Sequence, residues 1–403
     1  MAKRILIYTN HFYPEQFKIN EIVEWISTED FSVRVVTCIP NYPQGKFYKG
    51  YGLKSIRSTF FKDNVIVNRL PLIPRGNANF FLRSLNYISY FISTFFFTIY
   101  LLIFKTKYDY VFVHHTSPIL IAVSPIIYKF FYRSKLIMWD LDLWPDTLKS
   151  LGFIKSRYLF LLIENLVKTI YNFYDKILIG SKKFEKIIEK RFTKEIIYFP
   201  NWAEKTIERN LVDFNITNNL PKDDFIITYT GNIGLAQGFD IIVKLIHELR
   251  SEKIHWVFIG EGSYKATFLK NLESFNVINK CSFINQVDID KIPTYVSFSN
   301  ALLVSLINNS IFEKTVPAKL QSYMAMKKPV IGLISGEGAD IINKSNSGIY
   351  SKSSDYKELS LKIKKFIRLD KSELDKIGRN GYIYYHEHFS SSQRRSQLLR
   401  LFK

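Results

Sequence analysis

Short apolar runs alternate with longer segments of helical period along the whole 403-residue chain, and no other feature restricts the fold as much. Strands of a parallel sheet covered by helices on both faces read as unbroken apolar runs, so this alternation points to α/β architecture. In the first half the runs are Ile5–Thr9, Val33–Thr37, Tyr110–Val113, Leu136–Trp139 and Lys176–Ile179, with a weaker one near Val65–Leu70. Helical periods fall at Asn20–Ser27, Ser117–Tyr132, Arg157–Phe173 and Lys182–Arg191. The pattern breaks near Phe199-Pro200-Asn201-Trp202, and the polar stretch Asn210–Asn219 ends at Pro221. It restarts with Phe225–Tyr229, Trp256–Ile259, Cys281–Ile284, Ala301–Ser305 and Pro329–Leu333, separated by helical periods at Phe239–Leu249, Tyr264–Phe275, Ile292–Phe298 and Ala318–Met326. Two doubly wound units follow: residues 1–205, a linker at 206–220, and residues 221–380, with a tail at 381–403 expected to pack back on the first unit. Ligands of such sheets bind beyond the carboxyl ends of the strands, so two facing units would take theirs in the cleft between them.

The charge is unevenly spread. The net charge is +20, and half of it lies between Phe31 and Tyr108, where eleven Lys and Arg face a single acid, Asp63. Within that stretch Asn86–Phe104 carries no charge and is framed by Arg83 and Lys105. As a helix its 19 residues would be about 28 Å long, close to the hydrocarbon thickness of a bilayer. Asn, Tyr, Ser and Thr dilute it, and a strand follows within a few residues, which favours a helix lying in the lipid interface over a span. An ordinary buried helix is the third reading. No basic–aromatic nucleic-acid motif of a known type accompanies the charge, so a nucleic-acid partner is not expected. Two cysteines, Cys38 and Cys281, exclude a disulfide scaffold and suit a reducing compartment. The run Ile5–Thr9 is too short for a signal core and reads as the first strand of a cytoplasmic protein.

Several clusters carry chemistry. Thr230-Gly231-Asn232-Ile233-Gly234-Leu235-Ala236-Gln237-Gly238 follows a strand and opens a helix, where backbone amides can approach a phosphate, although plain turn glycines fit as well. Gly260-Glu261-Gly262 is a weaker example. At Glu313–Ala325, Pro317 is placed as the first helical residue, and the helix start with Lys314 and Lys319 suits a diphosphate; a solvated surface helix is the alternative. Asp140-Leu141-Asp142 has the form of a cation-holding D-x-D, but it runs into Leu143-Trp144-Pro145-Asp146, and no metal is expected there. His11, His114, His115 and Asp146 stand at strand ends on the same side. No nucleophile elbow, zinc-protease helix or kinase signature occurs.

Taken together these segments resemble glycosyltransferase family 4, of the GT-B fold. The closer likeness is to the bacterial branch of L-fucosamine or related aminosugar transferases in O-antigen and capsule assembly. The residues behind the resemblance are Phe12-Tyr13-Pro14-Glu15-Gln16-Phe17-Lys18-Ile19-Asn20, Pro40 through Lys46, Asp142 through Asp146, Pro200 through Ala203, Tyr229 through Gly234, and Thr315 through Lys319 with Tyr323-Met324-Ala325 and Lys328-Pro329-Val330-Ile331. The resemblance implies two Rossmann-like domains, the second holding a sugar nucleotide and the first an acceptor. It puts Gly231, Asn232, Gly234 and Gln237 beside the diphosphate and Gly260, Gln286 and Val287 near the base. Lys314, Thr315, Val316, Lys319 and Ser322 then face phosphate or sugar. His115, Asp142 and Glu15 fall to catalysis, and Lys18, Asn20 and Asp146 to the acceptor.

Three departures stand out. Asn232 and Gln237 replace the family's Arg and Lys in the phosphate loop, Lys314 and Ser322 fall where its E-x7-E pair aligns, with Glu313 one place away, and Gln16-Phe17-Lys18 replaces a glycine pair. Lys319 is then the expected carrier of diphosphate charge. The resemblance implies retaining, metal-independent transfer without a cofactor, from a UDP-sugar to an undecaprenyl-diphosphate-linked acceptor. The transferred sugar would be an N-acetylated deoxysugar such as L-FucNAc, and the enzyme would sit peripherally on the anionic inner face of the plasma membrane. A UDP-sugar 2-epimerase of the same fold and an inactive subunit of a polysaccharide-assembly complex are the alternatives.

Overall fold

The computed structural model describes residues 3–53, 58–76, 80–150, 152–213, 220–221 and 223–403. Lys54 and Arg57 of the basic stretch and residues 214–219 of the expected linker lie outside them. The chain forms two compact units, Met1–Phe199 with Arg395–Lys403, and Pro200–Arg394.

The first unit contains β1 (Lys3–Thr9), α1 (Lys18–Ser27), β2 (Phe31–Cys38), β3 (Ser58–Lys62), β4 (Val65–Leu70), α2 (Phe80–Ile103), β5 (Tyr110–His115), α3 (Val123–Tyr132), β6 (Lys135–Asp140), α4 (Asp146–Ser150), α5 (Arg157–Phe173), β7 (Lys176–Ile179), α6 (Lys182–Ile188) and β8 (Glu195–Tyr198). Its sheet runs β3-β4-β2-β1-β5-β6-β7-β8, parallel throughout except at β3–β4. The central strands are buried on both faces, so Ile5, Leu6, Ile7, Val111, Phe112 and Val113 form the core that the apolar runs announce. The order reverses between β1 and β5, which places Thr9–Glu15 and His114–Ser117 side by side at the switch point.

The second unit continues with α7 (Lys205–Arg209), β9 (Phe225–Thr230), α8 (Phe239–Glu248), β10 (Ile254–Ile259), α9 (Lys265–Ser274), β11 (Cys281–Ile284), α10 (Ile292–Ser297), β12 (Ala301–Ser305), α11 (Ala318–Ala325), β13 (Val330–Leu333), α12 (Glu337–Ser345), β14 (Gly348–Ser351), α13 (Tyr356–Phe366) and α14 (Lys371–His388), and α15 (Ser391–Leu401) passes from it into the first unit at Arg395. The strand order β11-β10-β9-β12-β13-β14 is that of a dinucleotide-binding sheet, with its switch point between β9 and β12. Tyr229, Phe239, Trp256, Phe258 and Phe268 close the core between sheet and helices.

The division between units falls at Phe199/Pro200, six residues before the expected boundary. Gln321 donates to the Asn201 carbonyl at 2.7 Å, and the Tyr385 hydroxyl takes the Ala203 amide and donates to Glu208. Residues 200–209 are thereby tied to the second unit. The tail also differs from the expected 381–403: α14 stays with the second unit, and only Arg395 onward belongs to the first. There Arg395 pairs with Glu29 at 2.8 Å, Phe402 packs on Tyr110 and Lys3 donates to the Phe402 carbonyl.

Helix α2 is built inside out. Asn86, Tyr90, Thr94, Thr98 and Leu101 recur every three or four residues and are buried against the sheet. Their polar atoms are satisfied there: Asn86 donates to Ile73, Tyr90 to Thr9, and Thr98 pairs with Tyr8 at 2.7 Å. The opposite stripe, Phe81, Ile88, Ile92, Phe96, Tyr100 and Ile103, is exposed, Phe96 to 65%. Four of the residues that dilute the segment, Asn86, Tyr90, Thr94 and Thr98, are thus its inner face, while Tyr100 lies on the outer stripe. Of the readings drawn from sequence, a wholly buried helix does not fit this stripe; Phe81–Ile103 is long and apolar enough to cross a membrane, and its inner face packs lengthwise on the sheet. On the same face of the sheet α3 packs against both α2 and α5. Those two helices add Phe130, Phe131, Tyr158, Leu162 and Leu166 to the exposed apolar surface.

Candidate active site

At the strand ends of the first unit, two histidine–carboxylate pairs flank the switch point. His115, the last residue of β5, is fully buried, and its Nδ1 lies 2.7 Å from Asp140 Oδ1. Tyr171 donates to the other Asp140 oxygen and the Asp142 amide to Oδ1 at 3.3 Å. A carboxylate so surrounded needs the imidazole proton on Nδ1. That leaves His115 Nε2 as a buried acceptor with no protein partner among the described residues. Asp142 accepts from Ser117 and from Trp144 Nε1. Both carboxylates of the D-x-D are therefore engaged by neutral donors, and no cluster of three metal-ligating side chains occurs among the described residues.

The second pair is Glu15 and His11, 2.6 Å apart and both buried. Glu15 Oε1 also receives the amides of Asn41 and Tyr42, each at 2.7 Å, which makes it the anchor of the Asn41–Lys46 loop. Both oxygens of Glu15, where the resemblance implies catalysis, are thus engaged within the unit, Oε2 by His11 and Oε1 by the loop amides. Burial lowers the His11 pKa, and burial together with neighbouring imidazoles pushes His114 down to about 3, so these rings stay neutral. Asn20, expected at the acceptor, takes the Tyr13 amide and donates to the Glu15 carbonyl; both ends of its side chain shape the 13–15 loop. Asp146 lies 2.7 Å from Arg191, and Lys18 2.9 Å from Glu21, so each acceptor-side charge has an opposite neighbour within the unit. Phe17, in place of a glycine, stacks on His11 with centroids 4.2 Å apart.

In the second unit the glycine loops interlock. Gly260 has φ +143°, and a Cβ there would come within 2.2 Å of the Gly231 carbonyl oxygen, so only glycine lets the loops after β9 and β10 touch. Gln237 Oε1 accepts the Gly234 amide at 3.0 Å and braces the first loop, while Asn232 is exposed. Lys319, in the first turn of α11, reaches back across Gly231, where a Cβ would meet its Cε at 2.8 Å. Its ammonium lies 3.8 Å from the centre of the Tyr229 ring and contacts the Tyr229 hydroxyl. Burial brings Lys319 down to about 7 with no carboxylate beside it.

Two details differ from the sequence reading. Pro317 caps α11 from an extended conformation and the helix begins at Ala318. The amides of Lys314 and Thr315 close a short turn onto Ile311 and Phe312, so Val316 onward supplies the start of the helix. Ser322 bonds back to the Ala318 carbonyl, Gln286 is exposed after β11, and Val287 packs on the Ile226–Val257–Ile259 cluster. Sequence reasoning did not find the Tyr229 cradle of Lys319 or the arginine beside His11, Arg75; nothing in local spacing marks either.

Two units, each a largely parallel sheet wrapped by helices, one with a buried histidine at its switch point and the other with interlocked glycine loops, give the chain the GT-B fold. Solved structures agree on that fold. Sucrose-phosphate synthase from Thermosynechococcus elongatus superposes with a TM-score of 0.73 at 14% identity, covering 100% of this chain and 98% of that one. Anabaena HepE, determined with UDP and glucose, gives 0.68 at 12% identity, covering 100% and 99%. Residues 213–383, most of the second unit, match the family described as glycosyl transferases group 1. A protein of Escherichia coli (strain K12) named as a colanic acid biosynthesis glycosyl transferase, WcaI, is 24% identical over 340 residues, 80% of this chain and 81% of its own length.

Proposed function

We propose that this protein is a retaining, metal-independent glycosyltransferase that moves a sugar, of the N-acetylated deoxysugar class, from a UDP-sugar to a polyprenyl-diphosphate-linked saccharide in bacterial surface-polysaccharide synthesis. The observation that carries the reading is the outward apolar face of α2 on the unit opposite to the donor match. A helix with its polar residues inward and Phe81, Ile88, Ile92, Phe96, Tyr100 and Ile103 outward suits a bilayer surface. A lipid-linked acceptor requires the enzyme to reach that surface. Supporting the donor side, the Gly231–Gly234 loop and Lys319 suit a diphosphate, and HepE was solved with UDP.

In this reading the sugar–phosphate bond breaks as the acceptor oxygen bonds to the same face of the anomeric carbon. The acceptor proton passes to the departing phosphate oxygen, so no strong protein base is needed. Lys319 and the α11 amides hold the charge that develops on UDP. His115 Nε2 accepts a hydrogen bond from a sugar hydroxyl, held in that tautomer by Asp140.

The test is UDP release measured with and without a polyprenyl-diphosphate-linked sugar. Release that requires the lipid-linked acceptor supports transfer; equal release without it would indicate a 2-epimerase, and none under any condition an inactive subunit. Because both oxygens of Asp140 and the Oδ2 of Asp142 are already hydrogen-bonded, EDTA is expected to leave turnover within about twofold. Strict dependence on Mn²⁺ or Mg²⁺ would overturn the metal-free reading.

A further inference from the structure

We propose that Arg75, with Lys46 beside it, forms the site for the diphosphate of the lipid-linked acceptor, at the point where α2 leaves the strand ends of the first unit. The inference rests on the reading of the acceptor as lipid-linked. Arg75 follows β4 by five residues and precedes α2 by five, and its contacts reach both the strand-end cluster and that helix. Its Nε approaches Asn86 Oδ1 at 3.3 Å, and Nη2 lies 3.5 Å from both His11 Nε2 and the Tyr87 hydroxyl. These partners are neutral and the bonds are long, so the guanidinium is aimed without being saturated.

The buried arginines of the unit are used structurally, whereas Arg75 is half-buried. Arg191 is matched by Asp146 and Glu164, and Arg69 ties Thr59 to the Tyr13 carbonyl. Arg75 forms no ion pair among the described residues. It is linked to a carboxylate through one imidazole: Glu15 holds His11 at Nδ1, and His11 presents Nε2 to Arg75. The rings of Tyr42 and Tyr87 flank the guanidinium at 5.3 and 5.2 Å, a desolvating wall that strengthens any charge-assisted bond formed there.

The backbone brings a second cation to the same place. Gly45, at φ +71°, receives the Gly76 amide on its carbonyl at 2.9 Å, and a Cβ on Gly45 would fall 1.9 Å from the Gly76 oxygen. This glycine-to-glycine contact stitches the loop of exposed Lys46 to the loop of Arg75. A diphosphate has paired anionic oxygens that a guanidinium fork matches. Its prenyl chain would run from there onto the apolar face of α2.

The experiment measures binding of geranylgeranyl diphosphate and of geranylgeraniol in mild detergent, with UDP at saturation so that the donor site is filled. The full chain is expected to bind the diphosphate at least tenfold more tightly than the alcohol. Arg75→Gln should weaken diphosphate binding ten- to a hundredfold and leave the alcohol and UDP within twofold. Arg75→Lys should retain part of the preference, and Lys46→Gln should lose threefold to tenfold; these two carry the test if Arg75→Gln unfolds. Equal binding of diphosphate and alcohol by the wild-type chain, or an unchanged preference in all three variants, overturns the proposal. Partition onto phosphatidylglycerol vesicles separates the other source of phosphate: a loss there, with diphosphate preference intact, assigns Arg75 to lipid headgroups and overturns it too. Diphosphate binding that depends on Arg75, without any transfer to a lipid-linked sugar, would sink the transferase reading and leave this site standing.

Discussion

Lys319→Ala is expected to weaken UDP binding ten- to a hundredfold. Asn232 and Gln237 are neutral, so the charge-assisted bond from Lys319, worth roughly 1.5–3 kcal/mol, is the main cationic contact in the cradle. The same lysine predicts a pH signature. Burial brings it from the ordinary 10.5 to about 7 in the unligated protein, and a diphosphate restores the charged form. At pH 8, where the terminal phosphate of UDP is ionised, wild-type binding should therefore take up a proton that Lys319→Ala and Lys319→Arg binding does not. Calorimetry in buffers of different ionisation enthalpy reads this difference. Affinity should fall as pH rises above about 7, up to tenfold per unit. The sign for folding is opposite: the unfolded chain binds the extra proton between about 7 and 10.5, so the unligated protein gains stability across that window. Unchanged UDP affinity in Lys319→Ala, or equal proton uptake in all three proteins, would mean that other groups meet the charge.

The parallel strands were readable because burial on both faces leaves them no polar alternation to hide in. Lys176–Ile179 and Ala301–Ser305 coincide with the apolar runs. The unread strands are those with the least burial to announce them: β3, an antiparallel edge, and the four-residue edges β8 and β14, whose side chains are mostly half-buried. The site divides the same way. Glycine loops and the helix start at α11 are local, so Gly231, Gly234 and Gly260 could be named from sequence. What each one makes room for is tertiary: Gly260 admits a carbonyl from another loop, and Gly231 a lysine from 88 positions onward. Glu15 is singled out by the resemblance alone, and only the fold shows its Oε1 filled by amides of a loop beginning 26 residues away and its Oε2 facing His11. Polar residues in an apolar segment were read as dilution, although their spacing of three and four already matched one helix face.

That spacing identifies which changes separate lipid binding from folding. Of Phe95, Phe96 and Phe97, only Phe96 is exposed, so replacing all three would disturb packing as well as the outward face. The cleaner variant is Ile92→Ser, Phe96→Ser and Tyr100→Ser together, three residues on one stripe, each about half exposed or more. Withdrawing about 40 Å² of the exposed part of each from water contributes about 1 kcal/mol at roughly 25 cal/mol per Å², or about a hundredfold in vesicle partition for the three. Their removal costs the fold little, because the buried face of α2, Asn86, Tyr90, Thr94 and Thr98, is untouched. The triple variant should therefore lose about a hundredfold in partition onto phosphatidylglycerol vesicles while turnover on a soluble short-chain acceptor stays within twofold. Basic residues add about 1 kcal/mol each near an anionic surface, screened beyond about 8 Å, so high salt should weaken the wild-type chain further and neutral vesicles should bind it poorly. Tyr158→Ser with Leu162→Ser on α5 is expected to lower partition independently, since both are exposed on the helix layer that α3 joins to α2. Equal loss of vesicle binding and soluble turnover in the α2 variant would mark the stripe as a folding element, and protease protection of one flank of α2 in sealed vesicles would mark it as a span.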